Sequence, residues 1–321
     1  MIPVLPDPIP LADIQSARAR IAGLAWKTPL VRLYVDAPCE IYLKLECLQP
    51  IGSFKIRGAG NAMALADPVA LSRGVWTASA GNMAQGVAWC ARAMGVPCTV
   101  AVPEHAPATK TQAVERLGGR VVRLPFNEWW QILVDHGAPG FDGVFIHPVS
   151  DPAVMAGNGT VGLEILEDLP DVGAVVVPYG GGGLSCGIAS ALGAMRPGVP
   201  VYASEVSTAA PLSASLAAGR AVAVDYTASF VDGIGGRGVL AEMWPLASTL
   251  LAGAIVVELE AVAVALRLTL ERAHVLAEGA GASAVAAALT GRAGAGKVVC
   301  VISGGNIDLA KVATIIGGTV P

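Results

Sequence analysis

The chain has 321 residues, of which 54% are apolar and only 14% charged, and its net charge is −4. Average globular domains carry about 25% charged residues, so this balance excludes a disordered or fibrous chain and describes a compact enzyme with a sizeable core. The charges are scattered, with no basic run or aromatic-interleaved basic patch, which argues against a nucleic-acid partner.

The opening MIPVLPDPIPLAD places prolines and acids where a secretory leader needs basic residues and then an apolar stretch. Behind it, Ile14, Ala17, Ile21 and Leu24 recur at helical spacing, with Asp13 as the expected cap. EIYLKLE at 40–46 reads as a strand. From residue 74 the pattern alternates: strand GVWTAS, helix GNMAQGVAWCARAM with Val87, Cys90 and Met94 inward, strand VPCTVAV, helix PATKTQAVERLG, strand RVVRL. A second series starts near residue 159 with helix TVGLEILEDL, strand VGAVVVP, a glycine loop, helix LSCGIASALGAM and strand VPVYASEV. A helix around 262–277 and the strand KVVCVIS complete it. Continuous apolar strands alternating with helices predict an α/β fold of two lobes, each a parallel sheet covered by helices, with a ligand cleft between them. The expected division is a large domain of residues 1–73 and 149–321 and a small domain of 74–148, with no appended regulatory domain.

The long apolar stretch LAGAIVVELEAVAVALRLTLERA is broken by Glu258, Glu260 and Arg267, so no membrane span is expected and the protein is placed in the cytoplasm. The six cysteines form no CxxC pair and read as reduced core thiols. The four histidines are dispersed, with no HExxH spacing, and no metal site is expected.

Chemistry concentrates in small-residue loops at strand ends. Gly180, Gly181, Gly182 and Gly183 follow VGAVVVP directly and open an amphipathic helix, which offers backbone N–H groups and a positive dipole end to a phosphate. No Walker lysine follows, and the run does not fit GxGxxG. A GxGxxG string at Gly233, Gly235 and Gly238 lacks a strand before it and reads as a loop. Gly183 to Gly187 also matches GxSxG, so a serine hydrolase built on Ser185, with Asp225 or Asp232 and His274, is an alternative. Against it, His274 reads as lying inside an amphipathic helix. SAGN (Ser79 to Asn82) and SGGN (Ser303 to Asn306) stand at two more strand ends, so three loops converge on one rim and suit an anionic ligand.

YLKLECLQPIGSFKIRGAGNAM, TASAGNMAQGVAW, MAGNGTVGLEIL, VVVPYGGGGLSCGIASAL, DGIGG, EGAGASAVAA and VISGGNID, in that order, resemble the fold-type II pyridoxal-phosphate enzymes, whose fold is tryptophan synthase beta-like, and within them the serine/threonine dehydratase and serine racemase branch. The resemblance spans roughly residues 10–310, and several motifs in correct order are more specific than any one. It implies pyridoxal 5'-phosphate held by Lys55 as a Schiff base, with Phe54 against the ring, Asn82 on the ring hydroxyl, Gly180 to Gly183 and the Leu184 amide on the phosphate, and Ser303 at the ring nitrogen. Ser79, Ala80, Gly81 and Asn82 would bind the substrate carboxylate. Arg57 reads as a structural cation.

The implied reaction is dehydration and deamination of a 3-hydroxy amino acid (threonine, serine, phenylserine or 3-hydroxyaspartate) to a 2-oxo acid and ammonia, by a homodimer. A non-catalytic protein binding pyridoxal phosphate or an amino acid is a further alternative. Racemases of the branch carry a second serine where this chain has Ala80, which disfavours racemisation. Met83 replaces a common histidine and reads either as core or as an apolar substrate wall promoting phenylserine. Glu205 keeps one acid of a divalent-metal site, but Pro211 stands where the second should be. Asn158 replaces a frequent glutamine.

Overall fold

A computed structural model describes residues 8–321; the reading of MIPVLPD as part of a leaderless start lies outside the described residues. In chain order the elements are α1 (Leu11–Arg20), β1 (Leu30–Leu33), β2 (Glu40–Lys44), α2 (Lys55–Leu65), α3 (Pro68–Ser72), β3 (Val75–Ala78), α4 (Asn82–Met94), β4 (Cys98–Pro103), α5 (Ala108–Arg116), β5 (Arg120–Leu124), α6 (Phe126–Asp135) and β6 (Val144–Phe145). They continue as α7 (Pro152–Asp168), β7 (Ala174–Pro178), α8 (Gly183–Met195), β8 (Val201–Val206), α9 (Pro211–Ala218), α10 (Trp244–Leu250), β9 (Gly253–Val257), α11 (Leu259–Ala273), α12 (Gly279–Leu289), β10 (Lys297–Val301) and α13 (Leu309–Ile316).

The strands form a six-stranded sheet, β1-β2-β10-β7-β8-β9, and a four-stranded sheet, β5-β4-β3-β6. Every pairing is parallel except β1 with β2. The buried strand β7 shows why its sequence is apolar throughout. Val175 and Val177 point into the core shared with α7 and α8, whereas Ala174 and Val176 point into the core shared with α12. The smaller sheet, built from residues 75–145, has its own core, in which Val75, Val87 and Val100 meet Ile56, Ala59 and Met63. Helix α2 therefore packs with the smaller sheet although it precedes residue 74. This is the α/β architecture of helix-covered parallel sheets that the alternation predicts. Among the described residues no helix is long and apolar enough to cross a membrane.

Several boundaries differ from the sequence expectation. Helix α1 starts behind Pro10, whose φ of −58° pre-sets a helical entry, and Asp13 sits in its first turn without capping it. Helix α7 starts at Pro152, because Asp151 accepts the N–H groups of Ala153 and Val154 at 2.7 and 3.3 Å. The glycines inside α7 allow close approach: a Cβ on Gly157 would stand 2.4 Å from the Arg57 carbonyl oxygen. Helix α6 was not expected at all. His274 is not inside a helix; it follows α11 in the left-handed region (φ 58°) and is exposed.

The start of α2 is tied down by buried charge. Arg57 is 1% exposed and forks onto two carboxylates, donating to Glu46 at 2.7 and 2.8 Å and to Glu164 at 2.6 and 2.8 Å. It also donates to the Thr160 hydroxyl and the Trp26 carbonyl. Lys44, likewise buried, donates to Glu164 at 2.6 Å and to the Thr28 carbonyl at 2.6 Å. Two cations and two anions thus neutralise one another. Burial alone would raise the Glu46 carboxyl, but the Arg57 charge and hydrogen bonds, with Lys44, hold it below the usual range. Removing one member of a buried pair strands the other charge and costs about 3–5 kcal/mol. Arg57→Ala should lose stability on that scale in chemical denaturation; a loss under about 1 kcal/mol, the scale of an exposed pair, would contradict this account.

Candidate active site

Three loops meet where the C-terminal ends of the two sheets face each other. β3 delivers Ser79 to Asn82 into the start of α4, β7 delivers Gly180 to Gly182 into the start of α8, and β10 delivers Ser303. The last loop pairs with the stretch before α2. Phe54 donates its N–H to the Ser303 carbonyl at 3.0 Å, and Gly305 donates to Gly52 at 2.9 Å. Segments far apart in the chain are thereby held in register. The residues expected to hold cofactor and substrate, from Phe54 and Lys55 through Ser79–Met83 to Gly180–Leu184 and Ser303, line one cavity of about 340 Å³.

The glycine turn is shaped as a cradle. Gly182 has φ +98°, and a Cβ on Gly181 or Gly183 would stand 2.5 Å from a Val149 methyl or 2.8 Å from the Val149 carbonyl oxygen. Side chains are excluded for steric reasons beyond turn geometry. Among the described residues the N–H groups of Gly181, Gly182, Gly183 and Leu184 have no protein acceptor. Four free donors at the N-terminus of a 13-residue helix fit a phosphate group. The Asn158 amide donates to the Gly183 carbonyl at 3.4 Å behind the cradle, and its own oxygen has no partner.

At the other end of the cavity, the Lys55 Nζ donates to the Pro148 carbonyl at 2.7 Å and lies 5.2 Å from the centre of the Phe54 ring. Burial pushes its pKa down to about 8, against an opposing pull from the charge of Glu278. The turn carrying Pro148 is folded around His147, whose Nδ1 accepts the N–H groups of Val149 and Ser150 at 3.2 and 2.8 Å. The ring is consequently neutral, with Nε2 donating to the Leu133 carbonyl. Burial, with His136 stacked 4.2 Å away, pushes its pKa down to about 3.

Glu278 and Asn306, which stood in EGAGASAVAA and SGGN without a role of their own, join the site. Asn82 donates through Nδ2 to both Glu278 oxygens, at 3.0 and 3.1 Å, and accepts from Asn306 at 2.8 Å, so its amide is fixed in orientation. Burial pushes Glu278 up to about 7, and the Asn82 hydrogen bond opposes that. The available signal was an acid placed directly before the small-residue helix GAGASAVAAAL. Trp129 also lines the cavity; Trp129, Ile132 and Leu133 behind Pro125 carried a helical period that would have revealed it.

Other candidates fall elsewhere. Met83 touches the cavity but is 2% exposed and packs in the smaller sheet's core. Ser185 is fully buried, donates to the Gly182 carbonyl at 3.1 Å and does not line the cavity, while His274 is exposed; no hydrolase triad assembles. Glu205 accepts the N–H groups of Leu212 and Ser213, both at 2.8 Å, at the start of α9, where Pro211 is the first residue. Among the described residues no three His, Cys, Asp or Glu side chains gather as metal ligands. All six cysteines are free thiols.

Comparison with known proteins agrees with this geometry. The family model described as "Pyridoxal-phosphate dependent enzyme" matches residues 21–304. An L-threonine ammonia-lyase of Geobacter sulfurreducens is 41% identical over 319 residues, covering 96% of this chain and 78% of that protein. A serine racemase of Oryza sativa subsp. indica is 34% identical, covering 92% and 91%. The crystal structure of a threonine deaminase from T.th. superposes with a TM-score of 0.84 at 32% identity, covering 93% of this chain and 98% of that one. Fold and cavity together define a fold-type II lyase that works with pyridoxal phosphate. The chain belongs to the pyridoxal-phosphate-dependent enzyme family, in the branch that holds threonine ammonia-lyases and serine racemases.

The coupling of Glu278 to Lys55 has a measurable consequence. Glu278 is ionised at the pH where Lys55 titrates, so its charge favours the ammonium. Glu278→Gln should move the Lys55 midpoint below about 8. The rate at which an amine-reactive reagent modifies Lys55 in cofactor-free protein, followed against pH by peptide mass, reads this directly. An unmoved or raised midpoint contradicts it.

Proposed function

We propose that the protein dehydrates and deaminates a 3-hydroxy amino acid by α,β-elimination, giving a 2-oxo acid and ammonia. The observation that carries this reading is the single cavity joining a low-pKa buried lysine to a helix-terminal cradle of free N–H groups. In it Gly180 to Gly183 and Leu184 would hold the phosphate of pyridoxal phosphate, Phe54 would pack against its ring, Ser303 would serve the ring nitrogen and Asn82 the ring hydroxyl. Pyridoxal phosphate supplies, when bound, the electron sink that makes Cα acidic.

The chain's own residues do the rest. The loop Ser79, Ala80, Gly81 and Asn82 holds the substrate carboxylate at the start of α4. The Lys55 amine, neutral in part near pH 8 because it is buried, takes the Cα proton. The Cα–H electron pair then expels the β-hydroxyl, which leaves as water with the proton that Lys55 has taken, and hydrolysis of the resulting enamine gives the 2-oxo acid and ammonia. Ala80 provides no second base on the opposite face of Cα, which favours elimination over racemisation. The relatives named for threonine support a 3-hydroxy amino acid as the class of substrate. The same reading takes residues 74–148 as the small domain and the remainder as the large one. It also takes the protein as a cytoplasmic homodimer, for which Trp26, Tyr34 and Leu309, at 59%, 74% and 72% exposure, offer apolar surface to a second copy.

Lys55→Ala should abolish 2-oxo acid formation, a loss of about 10³-fold or more in kcat, measured by ammonia release from hydroxy amino acids. Activity retained without added amine would refute the assignment of Lys55. Sedimentation should give a species of twice the 32.4 kDa chain mass; a monomer would remove the dimer from the reading.

A further inference from the structure

The cavity lining mixes charge with apolar surface. Its charged side chains include Glu278 and the ion pair Lys110–Asp232, 3.0 Å long, which bridges α5 to the loop before Gly233. Trp129, Val149, Ala80 and Ile234 line it as well. Trp129 lies in the first turn of α6, and its indole N–H donates to the Ala101 carbonyl at 3.1 Å. The only polar atom of the ring is therefore satisfied within the protein, and what the cavity receives is hydrocarbon and π surface. The indole also heads an aromatic row. Phe126 is 5.8 Å from it centre to centre, His105 is 5.9 Å from Phe126, and Trp130 is 6.4 Å from Trp129. Phe126 and Trp130 are each 42% exposed, so the row leads from solvent to the cavity.

We infer that Trp129 determines specificity, and that the 3-hydroxy amino acid carries a flat, apolar, aryl-type substituent at Cβ that lies against the indole. The inference rests on the elimination reading above and narrows its substrate. Charge argues against the acidic candidate: apart from Lys55, the cavity's charged side chains are Lys110, Asp232 and Glu278, and Lys110 is already engaged by Asp232. Asp232 is also approached by Lys311 at 3.6 Å, so a β-carboxylate, as in 3-hydroxyaspartate, would find no cation free of a carboxylate partner except Lys55 and would meet Glu278. Size argues against the smallest candidates, since the hydrogen of serine or the methyl of threonine would leave the indole face uncovered.

The test compares ammonia release from 3-phenylserine, threonine, serine and 3-hydroxyaspartate by the holoenzyme. One methylene in an apolar pocket is worth about 10- to 200-fold in kcat/KM, so 3-phenylserine should exceed threonine and serine by at least about tenfold, and 3-hydroxyaspartate should be the poorest. Trp129→Ala should cut kcat/KM for 3-phenylserine by about 10- to 100-fold and leave serine within about threefold, while Trp129→Phe keeps most of the preference. A second measurement needs no turnover: phenylalanine should perturb the absorption of the bound cofactor at lower concentration than alanine does, and Trp129→Ala should erase that difference. Threonine or serine outrunning 3-phenylserine, or an equal loss on all substrates in Trp129→Ala, overturns the inference. If Trp129→Ala does not fold, the wild-type panel and the Trp129→Phe ratio decide. If no hydroxy amino acid releases ammonia, the elimination reading falls, and tighter binding of phenylalanine than alanine still upholds the aryl wall.

Discussion

The fork of Arg57 between Glu46 and Glu164 is the constraint on which the site depends. Arg57 sits two residues beyond Lys55 and belongs to the same helix, so whatever fixes the guanidinium fixes the origin of α2. One carboxylate comes from the turn after β2 and the other from α7, which itself packs on α8 behind the glycine cradle. The reactive lysine and the cradle are thereby referenced to one rigid unit. Guanidinium suits this because its planar array of donors satisfies two carboxylates at once, which an ammonium cannot do. The close approach that brings Glu164 into reach is possible because Gly58 and Gly157 lack side chains where α2 crosses α7.

A parallel sheet gathers its loops at one rim, and this chain uses that property twice. Each sheet contributes strand ends that face the other across the cavity. The pairing of Gly52–Phe54 with Ser303–Gly305 then ties the segment before α2 to the end of β10, so the lysine side and the ring-nitrogen side of the site move as one. At this junction Asn82, Asn306 and Glu278 hydrogen-bond to one another. Such a network leaves few alternative arrangements of comparable energy.

Much of this is legible in the amino-acid sequence. Apolar strands alternating with helices gave the two sheets, and the glycine run, SAGN and SGGN marked three loops that do converge. What stayed hidden depended on contacts between distant residues. Helix α6 carries exposed aromatics among its periodic residues, because it covers a small core and also borders the cavity, and that mixture obscured its pattern. The true start of α7 was masked by glycines that serve helix packing. The periodic residues before His274 draw it into α11, whereas it ends that helix in the left-handed region. Glu205 looked like half of a metal site, yet it spends both oxygens on the N–H groups that open α9. Glu278 opens the stretch EGAGASAVAA, but its role shows only in its burial beside Asn82.

The hydrogen bond from Lys55 to the Pro148 carbonyl has a consequence for how the amine behaves as it titrates. A carbonyl oxygen only accepts, and both an amine and an ammonium can donate to it. Loss of the proton therefore frees a lone pair on Nζ without breaking the tether at 2.7 Å. Because neutral His147 holds the turn that carries Pro148 by accepting two backbone N–H groups, the anchor does not itself change charge over the same range. The nitrogen's reactivity is switched while its location is conserved.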